Sequence, residues 1–206
     1  MRPRGAPFTT SMIALCWLAF VLDWLSPHQQ GIGQFTLNGA LFPDAVLQGQ
    51  WWRLITYGFV HANIPHVLIN SIALFQAGDF VEYVYGSRRY AIIYLAALIG
   101  GGLAAYLTTI GTMTVTVGAS GAIMGVFGAM GVLAFKLPPL RRELWRAAIF
   151  PIVLTLGYGF FNKGISNAAH LGGLITGIVA ASLITPAHAR EMIRLFTSPT
   201  IPPPTD

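Results

Sequence analysis

Six apolar runs, at about 9–25, 64–84, 90–110, 120–135, 145–161 and 168–184, leave this chain few ways to fold. Each approaches the roughly 17–25 residues that a helix needs to cross the hydrocarbon core of a bilayer. A helix is also one of the few structures that satisfies its own backbone in lipid. The residue balance agrees, with 54% hydrophobic and 9% charged, against about 25% charged in soluble domains. The expected fold is all-α: a polytopic membrane protein with a bundle of six transmembrane helices.

The net charge of +5 does not point to nucleic acid. The basic residues sit in short groups between apolar runs and form no continuous face with interleaved aromatics, so the expected partner is the lipid bilayer and no nucleic acid. With the N-terminus in the cytoplasm, Arg2, Arg4, Arg88, Arg89, Lys136, Arg141, Arg142, Arg146, Arg190 and Arg194 all fall inside, leaving only Arg53 and Lys163 outside. That is the bias of the positive-inside rule. The opening MRPRG resembles a secretory signal, but Asp23, Trp24 and Pro27 follow the first run in place of a small-residue cleavage site, which predicts a retained first helix. The single cysteine, Cys16, excludes a disulfide framework.

The predicted organisation is one membrane domain over 1–186, with an outer loop at about 26–63, and a cytoplasmic tail over 187–206. The whole tail, which ends in the polar, proline-rich TSPTIPPPTD, is expected to be disordered. In the outer loop, Trp51 and Trp52 suit the headgroup region, where an amphipathic ring is favoured.

The alternation of the helices has a consequence for chemistry. The second, fourth and sixth all begin at the outer face, and each carries strongly polar residues near that start: His66 and Asn70, Ser120, and His170. Such residues are costly in a membrane and are functional candidates. From Ser120 to Lys136 a helix rises roughly 25 Å, against a core of about 30 Å. Ser120 therefore lies just below the outer boundary, and the preceding TMTVTVGA must descend as non-helical backbone. Such backbone is tolerated only where protein buries it or water fills a cavity.

Close approach between helices has its own signature. Gly121 and Gly125 form a small-xxx-small face on the fourth helix, and Gly173 and Gly177 form another on the sixth. His170 shares the stripe of Gly173 and Gly177 at i, i+3 and i+7. His66 and Asn70 share a face at i, i+4. With the Ser120 N–H, free at a helix start, they can form three donors around a developing oxyanion.

Blander readings compete. In a chain with 23 glycines the tetrapeptide GASG is weak by itself, and a lone membrane histidine or asparagine often serves only helix packing. Convergence of four polar residues at one depth favours the functional reading. His28 and His188 read as solvated, and His61 as fixing the outer loop. Asp79 and Glu82, near the inner end of the second helix, read as partners for Arg88 or Arg89.

Taken together, these residues resemble the rhomboid intramembrane serine proteases. WWRLITYGFVHANIPHVLIN is similar to the family's outer-loop Trp-Arg pair and the His-x-x-x-Asn of its second helix; GASG resembles its nucleophile motif, and NAAHLGGLITG its histidine helix. The resemblance implies Ser120 as nucleophile, His170 as general base, and His66, Asn70 and the Ser120 N–H as oxyanion stabilisers. Gly118 would let the loop turn and Gly121 would let the sixth helix close in, while Trp52, Arg53, Glu82 and Gly86 match positions read as structural. Bacterial relatives often carry tyrosine four residues after the serine, packed on the histidine; here that position is Met124.

The activity implied is cleavage of transmembrane proteins near the outer membrane face by a Ser-His dyad, in a bacterial inner membrane, without metal or organic cofactor. Two alternatives stay open at this point. One is a rhomboid-like protein that binds transmembrane segments without cutting them. The other is a small transporter, which the outer position of the polar residues and the lack of an inverted repeat disfavour.

Overall fold

The computed structural model describes residues 5–29, 31–162 and 164–197. Arg2, Arg4, Lys163 and the tail from residue 198 onward lie outside the described residues. Helix α1 spans Pro7–Leu25, α5 Ile64–Tyr85, α6 Ser87–Thr109, α7 Ser120–Lys136, α8 Arg141–Phe161 and α9 Asn167–Leu183. Among the described residues four helices are long and apolar enough to cross a membrane: α1, α5, α6, and α8 with the 3-10 turn Pro138–Leu140 before it. The apolar helices α7 and α9 have 17 residues each, near the lower limit for a crossing.

Helix α7 is the centre of the bundle. It is buried on almost every face, as an all-round apolar helix must be when protein rather than lipid surrounds it. Helix α9 packs along both α6 and α7, α5 lies between α7 and α1, and α8 leans on α7. The seam of α7 and α9 is made by glycines. A Cβ on Gly173 would collide with the carbonyl oxygen of Gly121, and one on Gly177 with the Cα of Gly125. Both helices therefore need bare backbone there, the arrangement that lets van der Waals packing drive association in lipid.

Polar ties secure the ends. The Glu82 carboxylate, 2% exposed, accepts the backbone N–H groups of Phe8 (2.9 Å) and Thr9 (2.8 Å), which satisfies the orphan donors at the start of α1. The expected pairing of Asp79 or Glu82 with Arg88 or Arg89 is thereby corrected: neither carboxylate makes an ion pair with them among the described residues. A carboxylate beside free N–H groups at a helix start gains charge-assisted hydrogen bonds without a cation. At the same end, Lys136 Nζ donates to the carbonyls of Ala181 (2.7 Å), Ser182 (3.1 Å) and Ile184 (2.8 Å), closing the end of α9.

The connection between α1 and α5 folds into a short hairpin, β1 (His28–Gln29) with β2 (Ile32–Gly33), followed by α2 (Gln34–Gly39), α3 (Pro43–Leu47) and α4 (Arg53–Thr56). It is organised around the Arg53 guanidinium, which is buried and donates to the carbonyls of Ala40 (2.5 Å) and Leu37 (2.9 Å) and to Gln50 Oε1 (2.7 Å). Asp23 ties this loop to α1 by accepting from the Thr36 N–H (2.7 Å) and hydroxyl (2.9 Å). Trp51 and Trp52 remain exposed, and the Trp52 indole N–H donates to Asn38 O at 3.2 Å.

The expectation of disorder from residue 187 is corrected for its first part, where α10 spans Ala189–Thr197. Met192 is buried and Ile193 packs against the core, because the apolar residues of this stretch recur at helical spacing; the proline-rich composition begins only at Pro199. His188 is likewise more than solvated: it stacks on Tyr83 at 5.7 Å and lies 3.4 Å from Glu191.

The glycine seam makes a stability prediction. Gly173→Val forces α7 and α9 apart and is expected to cost about 1–3 kcal/mol, the range for overpacking a tight core. Gly131→Ala, whose Cβ would meet nothing within 4 Å, should be neutral or slightly stabilising. Thermal unfolding in detergent, followed by tryptophan fluorescence, measures both; equal midpoints for the two variants would disprove the close contact.

Candidate active site

The descent to Ser120 runs through extended backbone held by protein on one side. Thr116 pairs with Leu41 as an isolated antiparallel bridge, with both N–H to O distances at 3.0 Å. Gly118 then donates its N–H to Tyr57 O at 2.8 Å with φ +109°, a conformation natural only to glycine. A Cβ at Gly118 would stand 2.5 Å from His66 Nε2 and 3.4 Å from Asn70 Nδ2. This residue is therefore where the loop passes against both polar residues of α5.

Ser120 is the first residue of α7, and no side chain caps that start. By contrast, α5 begins with Asn63 accepting from the His66 N–H at 2.9 Å, and α9 with Ser166 accepting from the Ala169 N–H at 3.2 Å. Among the described residues the Ser120 N–H has no acceptor, as expected of a donor in a first helical turn.

Ser120 Oγ and His170 Nε2 lie 2.8 Å apart. The histidine is 4% exposed and its Nδ1 has no partner among the described residues. A hydroxyl donating to a bare Nε2 leaves the ring proton on Nδ1. The pair can thus move a proton from oxygen to nitrogen with almost no displacement of heavy atoms, the requirement for an activated serine. Gly121 lets the helices close at this level: its Cβ would lie 3.1 Å from Ala169 O and 3.2 Å from the Tyr57 hydroxyl. That hydroxyl in turn donates to Leu98 O at 2.8 Å.

A cavity of about 110 Å³ opens beside the pair, with His66, Gly118, Ser120, Ser166 and His170 in its wall. A larger, more open hollow of about 560 Å³ lies against α10. Among the described residues its lining has no hydroxyl next to a base, so the smaller cavity is the candidate site.

Of the supporting residues, Met124 is buried on α7 at 1% exposure, Gly173 and Gly177 lie in the α7–α9 seam, and Trp52 and Arg53 belong to the connection between α1 and α5. Among the described residues neither these five nor Asn70 lines the cavity. One contact escaped the sequence reading, which gave His61 only the role of fixing the loop. His61 is 2% exposed and its Nε2 lies 3.0 Å from Asn70 Nδ2. No spacing rule finds this contact, because His61 precedes the helix and reaches Asn70 by way of a loop.

The arrangement can be set beside known proteins. Residues 48–187 match the model of the Rhomboid domain. The chain is 37% identical over 183 residues to "Rhomboid protease GluP" of Bacillus subtilis, covering 88% of this chain but 36% of that protein, so it spans about a third of GluP's length. It is 32% identical to "Putative rhomboid protease YdcA" of the same organism, covering 85% of this chain and 86% of the relative. It is 34% identical to "Rhomboid protease AarA" of Providencia stuartii, covering 85% and 71%. A domain match over most of the chain and identities of this size lead to one conclusion: this integral membrane protein belongs to the rhomboid family.

Proposed function

We propose that this protein is an intramembrane serine endopeptidase that cuts transmembrane proteins close to the outer face of the membrane. The observation that carries the reading is the 2.8 Å contact between Ser120 Oγ and His170 Nε2 at the edge of a small polar cavity inside an apolar bundle. The names of its relatives support the same activity. Six membrane crossings with the N-terminus inside agree with the placement of the basic residues, and the bacterial relatives favour a bacterial inner membrane.

In this mechanism Ser120 Oγ attacks the scissile carbonyl carbon as its proton passes to His170 Nε2. In this reading the carbonyl oxygen, now negative, is stabilised by three donors: the His66 ring N–H, the Asn70 amide and the Ser120 N–H. Such preorganised donors act strongly where water is scarce. Collapse of the tetrahedral species breaks the C–N bond, and the departing amine takes the proton from His170. A water molecule then gives one proton to His170 and adds its hydroxide to the acyl carbon; as the acyl–Oγ bond breaks, His170 returns that proton to Ser120 Oγ and the acid is released.

The loop offers a way to present the substrate. Because both polar backbone groups of Thr116 are used by Leu41, those of Val115 and Val117 face the opposite side, where both residues line the cavity. An extended segment of substrate can pair with that free edge and lie across Ser120. This requires the transmembrane substrate to unwind locally before cleavage.

Ser120→Ala and His170→Ala are each expected to abolish cleavage of a model transmembrane substrate in liposomes, since members of a catalytic unit lose most activity singly. Mass spectrometry of the products, with fluorophosphonate labelling of Ser120, tests this. A folded wild type that neither cleaves nor labels would instead favour a rhomboid-like protein that binds transmembrane segments without cutting them.

His66→Ala and Asn70→Ala should each lower kcat about 10²-fold while KM changes little, because each removes one of several oxyanion donors. Unchanged kcat in both variants would assign these residues to packing.

A further inference from the structure

His61 stands outside both the dyad and the proposed donor set, yet it touches both members of that set on α5. Its Nδ1 lies 3.2 Å from Phe59 O. A carbonyl oxygen can only accept, so the ring proton resides on Nδ1 and Nε2 is bare. That bare nitrogen lies 3.0 Å from Asn70 Nδ2 and accepts one of the two amide hydrogens. The amide oxygen is thereby turned away from His61, and the second amide hydrogen is left free on the nitrogen that Gly118 passes. The His66 ring meets His61 edge to face, with centroids 4.9 Å apart at 69°.

We infer that His61 is a positioning residue for catalysis: as a neutral acceptor it fixes which way the Asn70 amide faces, and its ring buttresses the His66 imidazole. The inference rests on the proposed protease function. Without His61 the Asn70 amide can rotate and present its oxygen to the oxyanion, which repels it. Burial in the first place, and then His66 beside it, push the His61 pKa down to about 4, so the ring remains a neutral acceptor at physiological pH. The bond to Phe59 opposes that shift without reversing it.

The test uses the full chain in liposomes. His61→Phe keeps a ring but removes the acceptor, and is expected to lower kcat about tenfold, by loss of orientation, with KM within about twofold. His61→Gln places an oxygen where Nε2 was and should restore part of the rate. In an Asn70→Ala background, His61→Phe should have little further effect, since residues acting through one contact are not additive. A loss that tracks thermal stability, adds fully to Asn70→Ala and is not relieved by glutamine would show that His61 merely holds the loop, and would overturn the inference. A second measurement needs no activity: nitrogen NMR of 15N-histidine-labelled protein in detergent should show His61 protonated on Nδ1, with an Nε2 signal that moves in Asn70→Ala. A protonated Nε2 overturns the proposal. A wild type that neither cleaves nor takes up fluorophosphonate overturns the protease reading and this inference with it; a wild type that cleaves while His61→Phe keeps full kcat overturns the inference alone.

Discussion

Two helices in lipid gain nothing by hiding apolar surface from each other, so α7 and α9 adhere only where their backbones can come within van der Waals reach. Gly121 and Gly125 facing Gly173 and Gly177 supply that reach along about one turn of helix. The consequence is chemical as well as mechanical. Serine has a short side chain, and its oxygen meets an imidazole on another helix only if the two axes are unusually close. The 2.8 Å contact of Ser120 and His170 sits one turn from the tightest part of this seam, so the glycines that hold the bundle also set the distance at which a proton can pass.

A second constraint comes from the chain that leads into α7. Backbone leaving a helix inside the membrane must find partners, and here it finds them in Leu41 for Thr116 and in Tyr57 for Gly118. Those partners belong to the connection between α1 and α5, which is itself organised by the buried Arg53. A charged residue in this connection thus acts at a distance on the site: it shapes the surface against which the loop before Ser120 is pinned. The same loop brings His61 over the start of α5, where it meets His66 and Asn70.

Much of this was legible in the sequence because it depends on short-range periodicity. The i, i+4 spacing puts His66 and Asn70 on one face whatever surrounds them, and i, i+3, i+7 aligns His170 with its glycines. Glu82 shows where such reasoning stops. The nearby arginines are obvious neighbours in sequence, yet the carboxylate turns to the first turn of α1, more than seventy residues away. A helix start offers several converging N–H groups, whereas a surface arginine is well served by water. The helix α10 was hidden for a different reason: the prolines that follow it colour the composition of the whole tail.

The membrane-embedded helical class, the six long apolar segments that become helices, and the face of each on which the candidate residues stand can all be read without a structure. These follow from hydropathy and from the 3.6-residue period, which act within a single element. The meeting of Ser120 with His170 at hydrogen-bond distance, the capping of α1 by Glu82 and the contact of His61 with the Asn70 amide come from the folded bundle. Each of these joins groups through loops whose path is set by packing of the whole bundle, and no local spacing rule carries a distance across such a path.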